Sequence, residues 1–272
     1  MRKASGIRLR KHEKALRPVR PNLGIEIAYR AKIRALIDEM HKSFDYWIKA
    51  KYRANEPLIA QDASPAAQLR IELNRLGRQW QKRFNDAAPE MAEFFAQQSH
   101  RRSDRVLKDI LKRAGWSVSM TMTPEIQEAL RASVVENVAL IRSIPQQYFT
   151  QIQGMVMRSV QAGRDLETLS KELRKQYGVT YRRAALIAKD QNNKSTAVIQ
   201  RTRQQALGIE EGIWLHSHGG KKPRPTHYAN HGKRFNIKEG WYDPDPRVRK
   251  KIWPEELINS RCCWKPIVEG LS

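Results

Sequence analysis

The chain has 272 residues, 40% of them hydrophobic and 29% charged, with a formal net charge of +23 and a pI near 10.3. That is ample for a core, in one large domain or two modest ones, and such an excess of one sign is usually tolerated where a polyanion neutralises it, nucleic acid first and an anionic membrane surface second. No run of about 18 apolar residues exists, which excludes a transmembrane helix; the basic N-terminus lacks an apolar segment behind it and is not a secretory signal, and two adjacent cysteines form no disulfide framework and fit a reducing compartment.

Residues 1–24 carry eight Lys/Arg against Glu13, with Pro18 and Pro21 breaking any long helix. They are expected to form a basic flexible arm that rests on phosphates, through Arg2, Lys3, Arg8, Arg10, Lys11 and Lys14. Residues 25–122 are expected to be a helical region. Ile33, Leu36/Ile37, Met40, Phe44 and Trp47/Ile48 keep helical spacing, and Asn55 to Pro57 ends that helix. Ser64-Pro65 supplies a cap and a first-turn proline for a second helix, whose face is Leu69, Leu73, Leu76, Trp80 and Phe84. A third is expected to begin near Pro89, with Met91 and Phe94/Phe95 early and Val106, Ile110 and Leu111 late.

Residues 123–207 are expected to be a helical lead-in. Thr123-Pro124-Glu125 repeats the cap-then-proline start, and Leu130, Val134, Val138 and Ile141 follow as a buried stripe. Ser143-Ile144-Pro145 is expected to restart the helix, with Tyr148, Ile152, Met155 and Val156 inward up to Gly163. Asp165 caps a short helix with Leu166, Leu169 and Leu173, closed by Gly178, and a last helix runs from about Thr180 to Leu207 with Gly208 as its stop.

In the final segment, residues 208–272, the helical period stops. Glycines and prolines punctuate short segments that read as strands: Gly212 to His216, Lys233 to Ile237 and Trp264 to Val268. Both cysteines and four of the seven histidines, His216, His218, His227 and His231, lie here. The expected fold is mainly α: an elongated helical N-terminal and middle region followed by a small α+β C-terminal module.

From the last helix onward the pieces Ile187-Ala188-Lys189-Asp190-Gln191, Lys194, Arg203-Gln204, Gly208-Ile209, Trp214, Arg224-Pro225-Thr226-His227, Gly232-Lys233-Arg234-Phe235, Pro254 and Asn259-Ser260-Arg261-Cys262-Cys263 follow in order. This series resembles the C-terminal module of Mu F-like minor head proteins, the phage head morphogenesis family, over roughly residues 135 to 270. Two places depart from the family pattern. Gly219-Gly220-Lys221-Lys222 stands where an acidic residue is usual, and Asn259-Ser260-Arg261-Cys262 stands where the family closes with Asn-Cys-Arg-Cys.

The resemblance implies a minor capsid protein inside the head of a tailed phage or prophage, present in the host cytoplasm during assembly. Its implied partners are the portal protein, major capsid or scaffolding proteins, and packaged double-stranded DNA held without sequence preference; packaging and DNA ejection are the associated events. No catalytic residue, cofactor or metal is expected. Asp190, Gln191, Trp214, Arg224, His227, Gly232, Arg261 and Cys262 are taken as the structural motif. Lys221, Lys222, Lys250 and Lys251 join the N-terminal arm as DNA-contacting candidates.

Three readings of the histidine-rich loop compete. Zinc would use His227 and His231 with Cys262 or Cys263, although adjacent cysteines on an extended backbone diverge. A nuclease or ADP-ribosyl transferase needs a general base and usually carboxylates, yet Asp243 and Asp245, flanked by Pro244 and Pro246, read as a surface turn. A folding element is favoured. In it Trp214 packs beneath the loop, Arg224 pairs with a backbone carbonyl or an acid, and His227 fixes the turn.

Overall fold

The computed structural model describes residues 9–54, 64–163, 165–219 and 222–269. The elements in chain order are β1 (Glu13–Ala15), α1 (Leu23–Ala54), α2 (Ser64–Arg113), α3 (Pro124–Gln161), α4 (Leu166–Ala206), β2 (Glu211–Leu215), α5 (Pro225–Ala229), β3 (Arg234–Asn236), β4 (Trp241–Asp243), β5 (Lys250–Ile252) and β6 (Cys263–Glu269). The chain is therefore mainly α with a small strand module toward its C-terminal end, as its apolar periodicity predicts.

Two expected helix breaks are absent, because α2 runs through Pro89 and α3 through Pro145. A proline inside a helix removes one backbone hydrogen bond and crowds the carbonyl four residues back. Side chains serve the carbonyls around both sites. The Asn85 oxygen accepts from Arg142 at 3.5 Å, the Arg142 oxygen from Gln81 at 3.1 Å, and the Leu140 oxygen from Ser143 at 2.6 Å. The apolar stripe also continues across each proline, through Phe84, Ala88, Ala92 and Phe95 in α2 and through Ile141, Ile144, Tyr148 and Ile152 in α3, all buried.

A third break is absent at Gly178, which lies inside α4 rather than closing a short helix. The buried row Leu169, Leu173, Ala184, Ala188 carries on past it. Gly208 is the glycine that does end the helix. It takes φ +71°, and the Ile209 N–H returns to the Gln204 carbonyl at 2.9 Å, a left-handed closure that a side chain would resist. Asp165 caps α4 as expected, accepting the Glu167 N–H at 2.9 Å, and Asn22, which the sequence reading did not single out, caps α1 by accepting the Ile25 N–H at 3.1 Å.

By its internal contacts the chain divides into two compact units, which differ from the four consecutive segments expected. One comprises Met1–Glu26, Phe94–Ser133 and Lys189–Ser272; the other comprises Ile27–Glu93 and Val134–Ala188. The reason is helix length: each of the four long helices contributes residues to both units.

The second unit is built from helix segments alone. Ile33, Ile37, Met40, Phe44 and Ile48 of α1 are buried with Leu69, Leu73, Leu76 and Phe84 of α2 and with the α3 stripe. Three ties join polar groups in its interior. Tyr29 donates to Asn137 at 2.8 Å, Tyr177 donates to Asp38 at 2.7 Å, and His41 Nδ1 meets the Tyr148 hydroxyl at 2.8 Å.

The first unit holds the sheet, whose strand order is β1-β6-β2-β3 with every pair antiparallel, beside the two-stranded β4-β5 ribbon. In β2 and β6 most positions are buried, in near-continuous runs, so both faces of the central strands are covered. Gly212 is needed on β2 because a Cβ there would lie 2.8 Å from the Trp264 ring and 3.1 Å from Phe235. Trp214, Phe235, Trp264, Ile237 and Ile252 form one cluster with Leu107 and Leu111 of α2 and with Leu16 and Val19.

That last pair corrects the flexible arm over its described part, residues 9–24. Lys14 pairs with Val268, the Leu16 N–H donates to the Pro266 carbonyl at 2.8 Å, and Arg234 reaches Glu13 with both terminal nitrogens. Leu16 and Val19 supply the apolar anchor that a reading by charge overlooks. Arg2, Lys3 and Arg8 lie outside the described residues, as do Asn55 to Pro57, and the side chains of Ser64 and Pro65 are not described.

Candidate functional site

The sequence motif residues gather in the first unit, around the end of β2, the one-turn helix α5 and the segment entering β6. Trp214 is fully buried, and its ring meets His227 edge-on at 5.3 Å, Phe235 at 5.7 Å and Trp241 at 5.3 Å. Its backbone closes the loop: the Trp214 N–H donates to the Lys233 carbonyl at 2.9 Å, and the Trp214 carbonyl accepts the Gly232 N–H at 2.8 Å. Arg224 gives an N–H to the Ile258 carbonyl at 2.8 Å, and Arg261 gives one to the Gly219 carbonyl at 2.7 Å. Asp190, the second residue of the α4 segment in this unit, accepts the Asn259 N–H at 2.9 Å and pairs with Lys194 at 3.1 Å. Gln191 is buried beside it.

His227 sits between Cys262, with which the zinc reading had grouped it, and Asp243, which no sequence pattern joined to it. Its Nδ1 lies 3.4 Å from Cys262 Sγ and its Nε2 lies 3.3 Å from Asp243 Oδ2. All three side chains are buried. Burial lowers the imidazole below its ordinary 6.5, Arg224 adds to that, and Asp243 opposes it. Burial likewise raises the Cys262 thiol. Both groups are thus held neutral at neutral pH, whereas a cysteine nucleophile needs a depressed thiol beside a protonated imidazole. In this form the row of Cys262, His227 and Asp243 is a packed polar core.

Asp243 and Asp245 correct the expected surface turn, since both are buried. Asp243 Oδ1 accepts the Asp245 N–H at 3.0 Å, and Asp245 pairs with Arg247 at 2.8 Å, which holds its carboxyl down at about 2. The ligand set weighed for zinc is not brought together. His231 lies with His216 and His218 instead, accepting the His216 N–H at Nδ1 over 3.0 Å, and its ring is 4.8 Å from that of His218. Cys263 belongs to β6, and burial raises its thiol to about 12. Among the described residues no group of three or more His, Cys, Asp or Glu is arranged to hold a metal ion.

A cleft of 840 Å³ opens over this core, lined among others by Lys222, Arg224, Arg247, Arg261, Asp245 and Cys262. Of the expected DNA-contacting lysines, Lys222 lines it, while Lys221 lies outside the described residues. Lys250 and Lys251 are on β5 and are engaged by Glu256 at 2.8 Å and Glu239 at 2.6 Å. Arg10, Lys11 and Lys14 are exposed next to β1.

Sequence reading missed Arg203, whose guanidinium is buried. It grips Asp104 at 2.9 and 2.6 Å, bonds the Thr121 carbonyl, and meets His100 at 3.1 Å. Burial alone would raise the Asp104 carboxyl, but hydrogen bonds from His100 and Arg203 outweigh it and hold it low. Gln204 was missed too; its side-chain oxygen accepts the Trp264 indole N–H at 2.6 Å. The adjacent Arg203-Gln204 pair in the motif series was the available signal.

No helix among the described residues is long and apolar enough to cross a membrane. Comparison with known proteins bears on the same region. The chain is similar to an uncharacterized protein of Haemophilus influenzae, 29% identical over 157 residues, which covers 57% of this chain and 33% of that protein, so the chain spans a third of the relative's length. No solved structure matches. The model of the family described as Phage Mu protein F like protein matches residues 150–264, which contain all of α4, β2 to β5, the Trp214–His227–Cys262 core and the cleft. Over these residues the chain is similar to the phage Mu F-like family.

Proposed function

We propose that the protein is a minor head component of a tailed phage or prophage, acting in head morphogenesis without turnover chemistry. In this reading it associates with the portal protein and with major capsid or scaffolding proteins, and touches packaged double-stranded DNA by non-specific charge contact. The observation that carries the reading is the family match over residues 150–264. The net charge of +23 suits a polyanion-filled compartment, and the neutral Cys262–His227 pair argues against a nucleophilic role.

Fractionation of purified particles tests it. The protein should co-sediment with DNA-filled heads and co-purify with portal complexes from disrupted particles, and its absence from particles would remove the proposal. The DNA contact is tested apart from location: affinity should fall linearly in log[salt] with little sequence preference.

A further inference from the structure

The acidic partners of Lys250 and Lys251 leave the question of which cations are available to a phosphate. The cleft above the Trp214 core answers it differently from the sequence. Its charged lining residues are Lys222, Arg224, Arg247 and Arg261 against Asp245 alone. Lys222, Arg247 and Arg261 are exposed. Arg224 and Arg261 are each steadied by a backbone carbonyl, of Ile258 and of Gly219, and those partners are neutral. A guanidinium fixed by one N–H keeps its full charge and its other donors for an anion, with less side-chain freedom left to lose on binding. Arg247 and Asp245 answer each other's charge through two side-chain hydrogen bonds, which leaves Lys222, Arg224 and Arg261 as the lining cations open to an anion.

The remaining lining decides what kind of anion fits. It contains prolines, serines, aliphatic residues and histidines but no phenylalanine, tyrosine or tryptophan. Binding of unpaired bases relies on aromatic platforms on which they stack, and the lining offers none. A row of charge donors without such platforms suits the outer face of a sugar-phosphate backbone.

We infer that the cleft lined by Lys222, Arg224 and Arg261 is a binding site for the phosphodiester backbone of duplex DNA. The inference rests on the DNA contact proposed above and names its site. It moves that contact away from Lys250 and Lys251 and onto arginines that the sequence reading had taken as structural.

The test uses the full chain and a short fluorescent duplex, with binding followed by anisotropy between about 50 and 200 mM salt. The double variant Lys222→Ala/Arg261→Ala should lose at least about tenfold in affinity, and its log–log salt slope should be shallower by about 2. Arg224 is left in place because its bond to Ile258 ties α5 to the chain. Asp245→Asn keeps an oxygen for the Arg247 N–H while removing the negative charge, so it should tighten binding and steepen the slope. This gain cannot come from misfolding. The pair Lys250→Ala/Lys251→Ala should change affinity less than about twofold, since each lysine already answers a carboxylate.

Wild-type affinity and slope in the Lys222/Arg261 variant, beside firm wild-type binding, would overturn the cleft while sparing the DNA contact. A larger loss from the Lys250/Lys251 pair would do the same. Tighter binding to phosphatidylserine vesicles than to duplex would reassign the cleft to membrane and overturn it. No salt-dependent DNA binding by the wild type would bring down the proposed DNA contact and the cleft together.

Discussion

The two compact units solve the problem of burial in different ways. In the helical unit, apolar residues three and four apart fill the interior, and the polar groups that enter it, such as Tyr29 with Asn137 and Tyr177 with Asp38, meet one partner each. In the unit that carries the sheet, short strands cannot bury enough apolar surface alone, and polar side chains supply the ties. Examples are Arg203 on Asp104, Gln204 on Trp264, Asn193 on the Ser260 carbonyl, and His227 between Cys262 and Asp243. The first kind of interior tolerates volume-conserving change. The second fails when one member of a pair is removed, because its partner is left buried and unanswered.

That difference is open to attack. The largest effect should come from Trp214→Ala, which empties the centre of the sheet unit and should destabilise it by about 3 to 5 kcal/mol in chemical denaturation. A loss below about 1 kcal/mol would mean that Trp214 is not core. Next, Arg203→Ala should cost about 3 kcal/mol by stranding Asp104, while Arg203→Met combined with Asp104→Leu should recover most of the loss. If the double variant fares no better than the single one, the pair is not what ties α2 to α4 there. Leu16→Ala should cost about 2 to 3 kcal/mol, where a residue in a solvated arm would change nothing measurable.

A smaller effect depends on pH. His227 has a depressed folded value, so the unfolded chain binds its proton more readily and stability rises with pH. The penalty is absent above about 6.5, grows as pH falls below it, and levels once the folded value is passed. His227→Gln should flatten that part of the denaturation profile, and an unchanged slope would show that the imidazole is accessible to protons. Smallest of all, Gly178→Ala should stabilise by about 0.5 to 1 kcal/mol as a plain helix-interior change, its Cβ meeting only the end of Arg182 at 3.5 Å. Gly208→Ala should destabilise instead, given its φ of +71°. Equal signs for the two glycines would show that α4 does not run through residue 178.

The helical interior was legible because its signal is local. Ile33 through Ile48 and Leu69 through Phe84 repeat at a spacing that fixes both the element and its buried face. Pro89, Pro145 and Gly178 misled because their local preference is weaker than the stripe running past them, and the compensating donors, Arg142 and Gln81, lie far off in sequence. The strands β2, β3 and β6 were visible in outline, but β1 was hidden under its charge, with Leu16 and Val19 too few to make a period. In the candidate site, the motif fragments marked Trp214, Arg224, His227 and Cys262 without saying what they touch. Asp243 was misread because two flanking prolines resemble a turn, and Arg203 with Asp104 could not be paired across 99 positions. Contacts of that range are settled by the packed fold, not by the neighbours of either residue.

The sheet order has a consequence for how the protein is made. Strand β6 is central, joining β1 on one side and β2 on the other, yet it leaves the ribosome after every other element. All the segments of the helical unit, which ends at Ala188, are out of the tunnel well before. Residues 13–15 must then wait, with Leu16 and Val19 uncovered, for a neighbour that arrives last. Non-local pairings of this kind are slow to form, and waiting strand edges invite aggregation. Slower synthesis or a chaperone that shields the early segment should therefore raise the yield of folded chain, and loss of β6 should leave the helical unit folded beside an unfinished sheet.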